Sequence, residues 1–202
     1  MTTRSAELAT AGPLMWRETG GVTWPWLAAA AEMAALYCGC RRGSGPDGRW
    51  RGAPRVATRT PDLTPHAVTA ARAFTLATME RWRVTDRDHD AAAVVSELLT
   101  NALRHALPEA SQAAGAGSSG PWPIRLGLLH FGRHVVCAVA DPSAAAPVSR
   151  QPDWQDESGR GLQVIASLSD QWGFCPAPVE PGKVVWAAFG TRPGLVAVPT
   201  AG

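Results

Sequence analysis

Four polar residues recur at helical spacing within one short stretch of this chain: Glu97, Asn101, Arg104 and His105, separated by four, three and one positions. On an α-helix that spacing puts them on one side, beside a stripe of apolar residues. Their types suit ligand chemistry. A carboxylate can take a proton from a nucleophile, an amide oxygen suits a hard cation such as Mg²⁺, and Arg or His can meet phosphate oxygens. Taken alone, an E-x-x-x-N pattern is more often a solvated helix face.

Two further places carry chemical potential. Asp141 closes an apolar run, where an acid can accept hydrogen bonds from an amino group of a ligand lying beside a sheet; an Asp at a strand end also commonly caps a turn. Ser158-Gly159-Arg160-Gly161-Leu162 precedes a helical pattern. Glycines there let the backbone approach a ligand, and a helix N-terminus offers N–H groups and a positive dipole end to phosphate. The stretch lacks the G-x-x-x-x-G-K-[ST] of a P-loop, and no buried strand before it makes a dinucleotide fingerprint.

The elements that must position these residues follow from periodicity. From Pro65 onward, Val68, Ala71, Phe74, Met79 and Trp82 share one arc of a helix that Asp62 or Thr64 is expected to cap. A second helix is expected from about Asp88 to Ala106, with Val94, Val95, Leu98, Leu99, Ala102 and Ala106 as its core stripe and Pro108 as its end. Residues Leu107 to Trp122, rich in Ala, Gly, Ser and Pro, read as a flexible loop. Ile124 to Leu128 and Val135 to Ala140 read as strands joined by a turn at Gly132-Arg133. A short helix follows at Leu162, Ile165 and Leu168, then strands around Trp172–Phe174 and Val184–Phe189. This order predicts an α/β fold, a two-layer sandwich of a mixed, mostly antiparallel sheet with helices on one face.

Composition bounds the rest. The 202 residues suffice for one domain and an appendage, and 46% apolar with 18% charged residues is ordinary for a globular chain. A net charge of +2 with no Lys/Arg block gives no footprint for nucleic acid or an anionic membrane. No run reaches the roughly 18 apolar residues of a membrane span. The longest, Leu27 to Cys40, contains Glu32 and starts too late for a signal peptide. The four cysteines form neither a disulfide framework nor a zinc pattern, and Cys137 reads as a small buried hydrophobe, all consistent with a reducing cytoplasm. Residues 1–60 are expected to be a poorly ordered or partly helical extension, with a Gly/Pro-rich linker over Arg41–Pro54 and an Ala-rich helix that either docks on a partner or has no defined role. Trp16, Trp24, Trp26 and Trp50 are candidates for a docking patch. The main domain is expected over 61–192, with a tail over 193–202.

Read in order, Ser96-Glu97-Leu98-Leu99-Thr100-Asn101-Ala102-Leu103-Arg104-His105-Ala106, Val139-Ala140-Asp141-Pro142-Ser143, Ser158-Gly159-Arg160-Gly161-Leu162 and Gly182-Lys183-Val184-Val185-Trp186 resemble one family. It is the histidine-kinase-like ATPase domain, in its anti-sigma-factor serine/threonine kinase branch, and the resemblance covers about Pro61 to Phe189. It implies a Bergerat-type sandwich that binds ATP with Mg²⁺. Asn101 then resembles the metal-binding amide, Glu97 the acid/base carboxylate, and Arg104 and His105 the phosphate-side residues. Asp141 resembles the adenine-reading acid with Ser143 beside it. Pro142 to Ser158 resembles the lid, and Gly159, Arg160, Gly161 and Leu162 the glycine motif at the phosphates.

The chain departs from the pattern in three places. Pro142-Ser143 and Ala144 to Ala146 stand where histidine kinases carry glycines, Lys183-Val184 replaces a threonine common in the last strand region, and His66 lacks the surroundings of a phosphoacceptor histidine. The function implied is a cytoplasmic regulator that phosphorylates a serine or threonine of a partner such as an anti-anti-sigma-like protein. The alternative is a non-catalytic ATP-dependent module that sequesters a sigma factor or another regulator; a homodimer fits either. A gyrase-type mechanical enzyme is disfavoured because no transducer domain follows Phe189.

Overall fold

A computed structural model describes residues 24–37, 54–106, 123–147, 160–179 and 181–192. In chain order the elements are α1 (Pro25–Tyr37), β1 (Arg55–Arg59), α2 (Ala67–Trp82) and α3 (Asp88–Asn101), which continues as a π-helical turn over Ala102–Ala106. Then come β2 (Arg125–Phe131), β3 (His134–Asp141), α4 (Gly161–Leu168), β4 (Gln171–Pro176) and β5 (Lys183–Gly190). The strands form one sheet in the order β1-β2-β3-β5-β4, and every neighbouring pair is antiparallel. The parallel component allowed by a mixed sheet is therefore absent among the described strands.

Strand alternation sorts the sheet into two faces. Leu126 and Leu128 of β2, Cys137 and Val139 of β3, and Val185, Ala187 and Phe189 of β5 join α2, α3 and α4 in one core. This is the α/β layer pair that the sequence predicts. On the other face Val136, Ala138, Ala140, Val184, Trp186 and Ala188 meet Trp26, Leu27, Ala30, Ala31 and Ala34 of α1. Helices thus cover both faces, and α1 adds a third layer to the expected two.

The described residues before position 61, 24–37 and 54–60, are accordingly packed into the domain. β1 extends the sheet by pairing with β2, with Arg55 opposite His130 and Arg59 opposite Leu126. Arg55 also donates from its guanidinium to the Trp82 carbonyl at 2.8 Å, which ties β1 to the end of α2. Trp26, a candidate for an exposed docking patch, is only 4% exposed because it is an anchor of α1 on the sheet. Trp24 is partly buried beside the same cluster, and Trp16 and Trp50 lie outside the described residues.

α2 begins without the expected side-chain cap. Its N-cap is His66, whose side chain makes no capping bond. Backbone bonds close the preceding turn instead: Thr64 N–H donates to the Asp62 carbonyl and Ala67 N–H to the Thr64 carbonyl. Two threonines, Thr75 and Thr78, join Met79 and Trp82 on the buried side, while Val68 and Phe74 are only partly covered. Thr75 satisfies its hydroxyl by donating to the Ala71 carbonyl at 2.9 Å, so its burial leaves no orphan donor.

α3 is oriented by Arg87 at its start. That guanidinium donates to the Leu168 carbonyl at 2.8 Å, pairs with Asp90 at 3.3 Å and lies over the Phe189 ring at 5.5 Å. The first turn of α3 therefore sits at the Phe189 end of β5, which pairs with Val135 near the start of β3. Fourteen helical residues span roughly 21 Å and an eight-residue strand roughly 26 Å, so α3 traverses the sheet toward the Asp141 end of β3. Its π-helical extension also contacts β3.

Candidate functional site

The last turns of α3 carry Glu97 and Asn101, both half-buried, beside the buried stripe of Val94, Val95, Leu98 and Leu99. The 3.6-residue period places them at the edge of that stripe, facing the start of α4. There Gly161 has no side chain and needs none. A Cβ at this position would lie 2.9 Å from Glu97 Oε2 and 3.2 Å from both Asn101 Oδ1 and Asn101 Nδ2. The glycine therefore sets the floor on which the carboxylate and the amide rest together.

α4 starts at Gly161 with Arg160 as its N-cap, and no side chain caps its first turn. The N–H groups at a helix start have no partner within the helix and carry its positive dipole end. They lie beside Glu97 and Asn101, where an anionic ligand can use them. Leu162, expected as a ligand contact, turns its side chain into the core at 8% exposure, so it offers a ligand its backbone N–H alone. Arg160 is exposed, and Gly159 lies outside the described residues.

Arg104 and His105 occupy the π-helical turn and are exposed. Such π-helical turns are frequent at functional sites. Of the expected lid, residues 142–147 are described and 148–158 are outside the described residues.

Asp141 ends β3 on the same face as Cys137 and Val139, the face covered by α2, α3 and α4. It is 6% exposed. Its Oδ1 accepts two hydrogen bonds: from Ser143 N–H at 2.9 Å, which closes an Asx-type turn, and from Lys183 Nζ at 2.9 Å. The Asx bond holds the chain tight through Pro142-Ser143 and makes good the missing glycines. Ser143 adds two contacts: its hydroxyl oxygen accepts from Ala145 N–H, and its carbonyl accepts from Lys183 Nζ at 3.1 Å.

Lys183 is legible in the sequence only as a departure from the family pattern, and its partnership with Asp141 comes from strand register. The two residues sit opposite each other across the β3–β5 ladder, so their side chains share a face. Gly182 makes the approach possible. Its φ is +133°, and a Cβ there would collide with the Asp141 carbonyl oxygen.

Two groupings thus exist on the helix-covered side: Glu97, Asn101 and Gly161 form one, and Asp141, Ser143 and Lys183 form the other. The direction of α3 brings the first toward the strand end that carries the second. No cluster of three or more His, Cys, Asp or Glu capable of holding a metal ion occurs among the described residues. A cation here would be shared between Asn101 and phosphate oxygens rather than enclosed by protein, which is how Mg²⁺ is commonly held. The donor set and the glycine floor fit a magnesium-bound nucleotide triphosphate.

A family model described as histidine kinase-like ATPase domain matches residues 62–189. A solved structure of the RsbU and RsbW domains of a Mycobacterium tuberculosis protein is 17% identical with a TM-score of 0.43, the comparison covering 71% of this chain and 35% of that one. This chain therefore spans about a third of that relative's length. No protein of curated function matches the chain.

Proposed function

This chain belongs to the histidine kinase-like ATPase domain family, and from that premise we propose that it binds Mg-ATP and transfers the terminal phosphoryl group to a serine or threonine of a protein partner, a regulator of the anti-anti-sigma kind. The observation that carries the proposal is that Glu97 and Asn101 occupy the space a side chain at Gly161 would take, which joins the helical acid–amide pair to a glycine-opened helix start. These are the parts that phosphoryl transfer needs, since its demands are chiefly positioning and neutralisation of charge.

Each residue contributes differently. Asn101 would hold Mg²⁺ through its side-chain oxygen, and the bound ion supplies charge neutralisation on the phosphate oxygens. The N–H groups at the start of α4 would donate hydrogen bonds to the phosphate oxygens from one side, with Arg104 and His105 approaching from the solvent side. Asp141 would accept a hydrogen bond from the exocyclic amino group of adenine. Glu97 takes the proton of the partner hydroxyl as its oxygen bonds to the terminal phosphorus, the bridging P–O bond breaks, and ADP departs with that bond's electron pair.

A direct test is titration calorimetry with ATP in the presence and absence of Mg²⁺, followed by incubation with the partner and γ-labelled ATP. Asn101→Ala is expected to remove the Mg²⁺-dependent part of ATP affinity. Glu97→Gln is expected to keep binding and lose transfer. An Asn101→Ala chain that binds Mg-ATP like the wild type would refute the assignment of the amide. Binding without label on any serine-bearing partner would favour a sequestering module over a kinase. No helix among the described residues is long and apolar enough to cross a membrane.

A further inference from the structure

Deepening the proposed nucleotide site and resting on it, we infer that Lys183 is a specificity-determining residue that donates a hydrogen bond to the ring nitrogen N1 of a bound adenine. The inference starts from a buried ammonium. Lys183 is 9% exposed, and its Nζ lies 2.9 Å from Asp141 Oδ1 and 3.1 Å from the Ser143 carbonyl oxygen. An ammonium carries three protons. Two are taken by these acceptors, and the third has no acceptor among the described residues.

Burying a lysine costs desolvation and side-chain entropy, and an incompletely paired one costs more. As a purely structural brace the pair is poorly chosen, because the Ser143 N–H already closes the turn on Asp141. A ligand acceptor that takes the third proton completes the set. The pair is placed for this, on the face that carries the glycine floor and at the strand end toward which α3 runs.

The chemistry of the base follows from the order of the two charges. Asp141 accepts and Lys183 donates, side by side. Adenine presents a donor, its exocyclic amino group, next to an acceptor, the unprotonated N1. Guanine presents the reverse at the same two positions, an acceptor O6 next to a protonated N1. With the sugar and phosphates held toward Asn101 and α4, guanine meets each protein group with the wrong partner. Lys183 thereby adds an adenine-selecting contact to the one made by Asp141.

The probes are ATP, GTP and 1-deaza-ATP, in which a C–H replaces N1, each titrated with Mg²⁺ into the full chain. The wild type is expected to bind 1-deaza-ATP about tenfold or more weakly than ATP, the loss of one charge-assisted hydrogen bond, and to bind GTP more weakly still. Lys183→Met is expected to bind ATP and 1-deaza-ATP alike. Equal affinity of the wild type for ATP and 1-deaza-ATP overturns the inference and leaves the nucleotide site standing. Binding of none of the three overturns the nucleotide site and the inference with it. If Lys183→Met fails to fold because Asp141 is left as a buried unpaired charge, the comparison on the wild-type chain decides alone.

Discussion

Replacing Gly161 with Ala adds a methyl group at the point where two motifs meet, and its effects on folding and on binding should separate. The new Cβ would stand 2.9 Å from Glu97 Oε2 and 3.2 Å from the Asn101 side-chain atoms, against ordinary contact at 3.4–4 Å. The carboxylate must retreat by about half an ångström and the amide by about 0.2 Å, both shifts following from van der Waals contact alone. Overpacking of this kind costs about 1–3 kcal/mol. Ala in place of Gly at a helical position with no left-handed demand returns about 0.5–1 kcal/mol through the unfolded chain. Stability should therefore fall by no more than about 2.5 kcal/mol, a melting shift of several degrees for a domain of this size. Binding should suffer more, because a displacement near 1 Å at a positioned group costs about a hundredfold and half that about tenfold. Thermal melting and calorimetry on the same preparation measure both. A Gly161→Ala chain that melts near the wild type and binds Mg-ATP with undiminished affinity would mean that Glu97 and Asn101 do not touch the ligand.

Three further outcomes are expected. Trp26→Ala should lower the urea midpoint by the equivalent of about 3–5 kcal/mol, the cost of truncating a buried aromatic, and a loss under about 1 kcal/mol would show that α1 is not an integral layer. In a Cys38→Ser/Cys40→Ser chain, Cys175, pushed up to about 11 by burial and the nearby Glu32 charge, and Cys137, raised further by burial, should resist a thiol reagent at pH 8 until denaturant is added. At that pH about one Cys175 in a thousand is thiolate, so rapid labelling of the native chain would contradict the buried placement. His130 is held below the usual histidine range by burial and then by Arg55, and His134 by burial, an effect the Asp170 charge opposes and Arg133 reinforces. A lowered folded pKa means that the unfolded chain takes up protons first as pH falls. Stability is then complete above about pH 6.5 and is lost as pH drops through the folded values, so His130→Gln/His134→Gln should flatten urea midpoints measured from about pH 7.5 to 5.

The helices and central strands are readable in the sequence because their periodicity is strong. Val94, Val95, Leu98 and Leu99 announce α3, and Val135 to Ala140 announce β3, since burial on one stripe or on both faces leaves its mark on residue type. β1 leaves no such mark. Arg55-Val56-Ala57-Thr58-Arg59 is a short edge strand none of whose residues is fully buried, and its existence depends on a free edge of β2, a property of the rest of the sheet. The acid–amide spacing of Glu97 and Asn101 is likewise local and legible. The contact of Lys183 with Asp141 is not, because forty-two positions separate them and only the β3–β5 register makes them opposite partners.

The third layer is implied by the sequence in a way that spacing alone conceals. A strand covered on one face alternates, whereas Val135 to Ala140 is apolar at every position, as is Val184 to Phe189, so both faces of β3 and β5 must find cover. α2, α3 and α4 can cover only one. The Ala-rich segment supplies the other, and its composition suits that role because Ala30, Ala31 and Ala34 are small enough to bring the helix close to the sheet. Trp26 and Leu27 fill the space above Gly127, where a Cβ would come within 2.7 Å of the Trp26 ring. A helix bound so closely is part of the sheet's own core. Removing it should expose Val136, Ala138, Val184 and Trp186 on the back of the two strands whose ends carry Asp141 and Lys183. Truncating Trp26 is therefore expected to weaken nucleotide binding along with stability, although α1 contributes no group to the proposed site.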